Sequence, residues 1–250
     1  MKMPSAPHPA DLRAREELYH MRIDPHRQAS SLSDVILGGQ DGIVNVLGVI
    51  LGVAAATFDA RIVIVAGLAA TFAESVSMAA VAFTSTVADS DFYQAERERE
   101  RRHVEEVPHL EREKVRRIYA AKGFEGDLLE GIVAKITSDP DVWVNVMMAE
   151  EHHLTPTSRK AAAKSALVVG LAAMVGSLIP LLPFAVLGVG ASMIVSVALT
   201  ATVLFGVGAY KAKVMVGNPG RSGLEMAVIG TLSALVGYAV GAILKLPPTV

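Results

Sequence analysis

The stretch SALVVGLAAMVGSLIPLLPFAVLGVGASMIVSVALTATVLFGVGAY, residues 165–210, carries no charged side chain. A membrane-spanning helix needs roughly 20 mostly apolar residues, so this run is long enough for two. Pro180-Leu181-Leu182-Pro183 divides it, because proline lacks an amide proton and clashes with the preceding helical turn. The reading is two spans, Ser165–Leu182 and Phe184–Tyr210, joined by a tight proline turn. Working outward, three more segments qualify: Val35–Phe58, Ile62–Ala88 and Leu224–Leu244. The first two are parted only by Phe58-Asp59-Ala60-Arg61, so they too form a helical hairpin.

Composition agrees. Hydrophobic residues make up 52% of the 250 residues and charged residues 19%, with a mean hydropathy of +0.42. Soluble domains average about 45–50% apolar and about 25% charged. The absence of cysteine excludes disulfides and thiolate metal sites. A net charge of −2 gives no argument for a nucleic-acid partner. The polar stretch Met1–Ser33 lacks the apolar core of a cleavable signal peptide. Arg13, Arg15, Arg22 and Arg27 precede the first apolar segment, which therefore reads as a retained span.

Orientation follows from the basic residues. Of the 23 Lys and Arg, only Arg61 and Lys245 fall on one side. The rest fall in the N-terminal tail, in 89–164, or at Lys211, Lys213 and Arg221. The N-terminus and residues 89–160 are expected in the cytosol and the C-terminus outside. The expected division is a tail (1–33), spans one and two (34–88), a cytosolic helical module (89–160) and spans three to five (161–250).

Charges inside spans are costly and usually face the bundle interior or a water path. Asp41, in Gly38-Gly39-Gln40-Asp41-Gly42, has Asn45 one turn on, on the same face. Taken alone, Asp41 reads at least as well as an interfacial acid at a helix start loosened by glycines. Glu74 stands mid-span in Ala73-Glu74-Ser75-Val76-Ser77-Met78, with Met78 one turn later. A hard carboxylate beside a soft thioether suits a borderline divalent transition metal better than Mg²⁺ or Ca²⁺. The alternative is a protonated Glu74 with Met78 as filler. Gly48-x-x-x-Gly52 and Gly237-x-x-x-Gly241 offer either helix-packing seams or the ordinary glycine content of membrane helices.

The module reads as helices over about Ser90–Val107, Leu110–Lys122 and Pro140–Leu154, with a short segment Asp127–Thr137 between the last two. Asp139-Pro140 is an N-cap and first-turn pair. Glu100 and His103, and Glu150 and His153, have the Glu-x-x-His spacing of di-iron carboxylate bundles. The run Glu96-Arg97-Glu98-Arg99-Glu100-Arg101-Arg102 alone reads better as a solvated helix with i, i+4 pairs. Met147-Met148-Ala149-Glu150-Glu151-His152-His153 reads as metal-binding, since a solvated face has little use for two methionines.

This layout resembles the vacuolar iron transporter family. The resemblance rests on five spans, a helical insert between spans two and three, Asp41-Gly42 in span one, Ser77-Met78 in span two and Met147-Met148 in the insert, and covers about residues 31–245. It implies an all-α integral membrane protein with a cytosolic three-helix insert. It also implies a homodimer that exports Fe²⁺, and often Mn²⁺, in exchange for protons, along a path lined by Asp41 and Met78. The matching insert ligands are Glu100, Glu111, Met147, Met148 and Glu151. The chain departs from the family pattern in several places. One Glu position is His103 and another is Lys114. The family's span-two acid position is Ala70, with Glu74 one turn before Met78. Ala79-Ala80-Val81-Ala82-Phe83 replaces a glycine-rich stretch.

The expected pathway is therefore Asp41, Asn45, Glu74 and Met78. The expected metal ligands are Glu100, His103, Glu111, Met147, Met148, Glu151 and His153. Metal ions, protons and lipid are the expected partners, with no organic cofactor and no catalytic residue. A bacterial plasma membrane is the favoured location, because the tails are short. Two other readings use the same Glu/His/Met module: a membrane-tethered di-iron ferroxidase and a metal sensor.

Overall fold

Long apolar stretches free of breakers fold as helices here, and among the described residues there is no strand. A computed structural model of the chain describes residues 29–215 and 217–244. Most of the tail, including Arg13, Arg15, Arg22 and Arg27, and also Lys245, lies outside the described residues. The helices are α1 (Ala29–Thr57), α2 (Ala60–Glu106), α3 (Pro108–Ala121), α4 (Gly126–Thr137), α5 (Pro140–Glu150), α6 (Arg159–Val186), α7 (Val189–Met215) and α8 (Pro219–Ile243). Five of them, α1, α2, α6, α7 and α8, are long and apolar enough to cross a membrane.

The first hairpin turns at Phe58, whose φ of 51° lies in the left-handed region that non-glycine residues rarely occupy. Asp59 then caps α2, its Oδ1 accepting from the backbone N–H of Arg61 at 2.7 Å and of Ile62 at 3.2 Å.

Three boundaries differ from the sequence reading, two of them in the module. Residues 68–107 contain neither glycine nor proline, and α2 does not stop at the membrane surface near Ala88. It runs unbroken to Glu106, 47 residues in all, so the second span and the first helix of the module are one helix. Pro108 ends it and takes the first turn of α3, where its missing N–H is no loss. Asp139 caps α5 as expected, accepting from Asp141 N–H at 2.9 Å. However, α5 stops at Glu150 rather than reaching Leu154.

The third difference is at Pro180 and Pro183, which lie inside α6 rather than dividing two spans; the break falls at Leu187-Gly188. Membrane helices tolerate proline when neighbours supply hydrogen bonds. Here α7 packs against the proline-bearing turn and bonds to it through two hydroxyls. The Ser196 hydroxyl donates to the Pro180 carbonyl at 2.6 Å and the Ser192 hydroxyl to the Pro183 carbonyl at 3.0 Å. Both serines are fully buried.

Two cores result. In the bundle, α1 is the central helix. Lipid tails are as apolar as leucine, so close backbone approach rather than apolar burial drives association there. Gly38 and Gly42 lie on the backbone of α6, at Val169 and Ala173. Gly48 and Gly52 face Gly237 and Gly241 of α8, and a Cβ on Gly52 would stand 2.9 Å from the Gly237 carbonyl oxygen. Both glycine motifs therefore mark one seam. The glycines around Asp41 are packing surface rather than a loosened helix start. The module has an ordinary apolar core, in which Val104, Val115, Val133, Trp143, Met147 and Met148 meet. Burying each such side chain from water stabilises by about 1.5–3 kcal/mol.

Candidate metal centre

At the module, three helices bring their ends together. The extension of α2 presents Glu100 and His103, α3 presents Glu111 and Lys114, and the turn after α5 presents Glu151 and His152. The Glu100 and Glu111 side chains are only 2% and 3% exposed. His152 Nε2 lies 3.0 Å from Glu100 Oε1 and His103 Nδ1 lies 3.4 Å from the same oxygen. His103 Nδ1 is also 4.0 Å from Glu111 Oε1. Glu100 Oε2 and Glu111 Oε2 are buried with no hydrogen-bond partner. A buried carboxylate oxygen without a partner is costly, and two in one place fit a cation.

The side chains form two triads that share Glu100. One is Glu100, His103 and Glu111; the other is Glu100, Glu151 and His152. In each, the donor atoms lie within 4.8 Å of one another. Lys114 touches one carboxylate of each triad, at 3.1 Å from Glu111 and 3.3 Å from Glu151. Burial works against its charge, but the Glu111 and Glu151 carboxylates outweigh that and hold its pKa above the usual lysine value. It is therefore a fixed ammonium at neutral pH.

The structure gathers Glu100, His103, Glu111 and Glu151 from the sequence expectation, but not His153. The helix ends three residues before His153, which sits exposed at a φ of 54° and points away in the turn. His152 takes its place. The second Glu-x-x-His pair does not form a site, since Glu150 is bound to Lys122 at 2.6 Å. Met147 and Met148 are 0% and 1% exposed in the module core, and core packing accounts for two methionines without a metal. The run 96–102 is mixed. Arg101 reaches Asp141 at 2.6 Å, as on a solvated helix, while Glu96 and Glu100 are buried, Glu96 paired with Arg99 at 2.6 Å and Glu100 turned to the histidines.

Inside the bundle, α1 and α2 bring Asp41, Asn45 and Glu74 together, with Met78 one turn after Glu74 on α2. The Asn45 amide donates to Glu74 Oε1 at 3.1 Å. Asp41, one turn earlier on α1, is within hydrogen-bond reach of Glu74. Asp41, Glu74 and Met78 are half-buried. The Ser75 hydroxyl turns back to the Thr71 carbonyl at 2.7 Å and does not join them. No basic side chain occurs within residues 35–58 or 62–88. Two facing carboxyl groups in such a place need a cation or a proton to balance them.

Sequence reasoning missed His152 and the double contact of Lys114. The signal for the first was present, because residue 152 lies one turn after Met148 while residue 153 needs the helix to continue. The second needed the relative placement of α3 and α5, which no spacing encodes.

The sequence model of the VIT family matches residues 32–242. Over 226 residues the chain is 29% identical to Vacuolar iron transporter 1 of Tulipa gesneriana, covering 90% of this chain and 92% of that protein. It is 29% identical to Vacuolar iron transporter 1 of Oryza sativa subsp. japonica, covering 92% and 91%. It is 30% identical to the Vacuolar iron transporter of Toxoplasma gondii, covering 96% and 83%. The matched region takes in the five long apolar helices and the module between them, and the chain belongs to the VIT family.

Proposed function

We propose that this protein moves Fe²⁺, Mn²⁺ or both out of the cytosol across a membrane, in exchange for protons. The observation that carries the reading is the group of Asp41, Asn45 and Glu74, polar side chains held together between two apolar helices. The relatives named as iron transporters support the cargo.

In this reading the module gathers the ion from the cytosol at Glu100, with His103, Glu111, Glu151 and His152 around it. The ion passes to Asp41 near the inner mouth, moves beside Glu74 and Met78, and leaves on the far side. Asp41 or Glu74 takes up a proton as the ion departs, which keeps the pair balanced on the return. The N-terminus and module face the cytosol, a bacterial plasma membrane is the favoured location, and two copies pair around the path. Because α1 and α2 leave Asp41 and Glu74 only half-buried, a second copy would complete the enclosure.

The test is flux of Fe²⁺ and Mn²⁺ into proteoliposomes, with and without a pH gradient. Gradient-dependent flux lost in Asp41→Ala, with assembly unchanged, supports the reading. Normal flux in that variant overturns the pathway. Absent flux together with O₂ consumption on Fe²⁺ addition would favour a ferroxidase, and metal binding alone would favour a sensor.

A further inference from the structure

We propose that Lys114 is a tethered cation that limits the module to one divalent transition-metal ion, by holding one carboxylate from each of two overlapping ligand triads. The proposal rests on the reading of the module as a metal-gathering site.

The two triads share Glu100, so as ligand geometry they could hold a pair of ions bridged by that carboxylate. Ions bridged in this way sit about 3.5–4 Å apart. Lys114 Nζ lies 3.1 Å from Glu111 Oε1 in one triad and 3.3 Å from Glu151 Oε1 in the other. A metal ion recruiting both of those oxygens would have to displace the ammonium or sit against it.

Charge balance gives the same answer. Glu100, Glu111 and Glu151 bring three negative charges and Lys114 one positive. The imidazoles of His103 and His152 bind metal in their neutral form. Two negative charges remain, and one divalent ion neutralises them. A second ion would leave the cluster, with its buried Glu100 and Glu111, at net positive charge. Glu100 Oε2 and Glu111 Oε2, both buried without a partner, mark where the single ion finds oxygens that Lys114 does not occupy. With two imidazoles and carboxylates as donors, that ion belongs to the borderline transition metals rather than to Mg²⁺ or Ca²⁺.

The experiment is Mn²⁺ titration of the full-length protein in detergent, followed by electron paramagnetic resonance. Ions held by the module are counted as those lost in Glu100→Gln. The wild type is expected to bind one module ion with an uncoupled Mn²⁺ spectrum. Lys114→Gln and Lys114→Met are expected to bind two, with the broadened spectrum of a spin-coupled pair, and Lys114→Arg to keep one. The proposal is overturned if the wild type already holds a coupled pair, if neither neutral variant gains an ion, or if no variant binds Mn²⁺ at the module. The use of two neutral variants guards against one failing to fold. A coupled pair in Lys114→Gln together with no flux by the wild type in vesicles would overturn the transport reading and leave this one standing. Normal flux with an unchanged ion count would do the reverse.

Discussion

The amide of Asn45 on α1 donates to the carboxylate of Glu74 on α2 at 3.1 Å, a direct polar side-chain link between these two spans. Interhelical hydrogen bonds in membranes average only about 0.6 kcal/mol, so this contact has little weight in stability. Its effect is orientation. It fixes Glu74 toward Asp41, where a passing cation would meet both carboxylates.

Asn45→Leu should therefore leave the melting temperature of the purified protein nearly unchanged. Metal flux should fall by about tenfold, the scale of losing a hydrogen bond to a charged group. Measuring thermal unfolding and vesicle flux on the same preparation separates the two effects. An equal loss of both would show that Asn45 is mainly structural.

Glu74→Gln keeps the hydrogen-bonding shape but removes the charge. Flux is expected to fall to background, while Asn45 still has an acceptor and the fold persists. Retained gradient-driven flux would remove Glu74 from the pathway and leave Asp41 as its only acid.

His152→Ala should weaken Mn²⁺ or Co²⁺ binding at the module by at least about tenfold, and His153→Ala should not. The neighbouring residues differ because the turn after α5 sends one imidazole to Glu100 and the other to solvent. Isothermal titration of the two variants decides the matter. Equal losses would mean that the turn rearranges on metal binding.

Gly241→Leu should destabilise the bundle by at least about 1–3 kcal/mol, the cost of forcing bulk into a packed contact. A Cβ there would collide with the backbone of Gly52. Gly206→Leu, where a Cβ would meet nothing within 4 Å, should be tolerated. Detergent stability followed by size-exclusion chromatography gives the comparison.

The five spans were legible in the sequence because apolar length is a property of composition. The cap at Asp139 was legible as well, whereas the cap at Asp59 was read only as part of a tight connection. The proline break was misplaced because a membrane helix tolerates prolines that would break a helix in water, and the turn at Pro180 and Pro183 is held against α7 by Ser192 and Ser196, contacts that no local sequence signal encodes. The site was legible in its residue types and less so in its register. Glu100 was marked by its Glu-x-x-His spacing, and Glu111 and Glu151 by the family resemblance. The exchange of His153 for His152 depends on one residue of helix length, and the position of Lys114 depends on how α3 packs against the end of α5.

The unbroken α2 places Glu74 and Glu100 on a single shaft, about 39 Å apart at 1.5 Å per residue. A shaft transmits both thrust and torque. Any turn that the module imposes on its end when it grips an ion reaches the carboxylate in the bundle without a joint to absorb it. Deleting one residue between Ala79 and Phe92 would rotate one end against the other by about 100° and shorten the shaft by about 1.5 Å. Each grip could stay intact while the pair lost its timing.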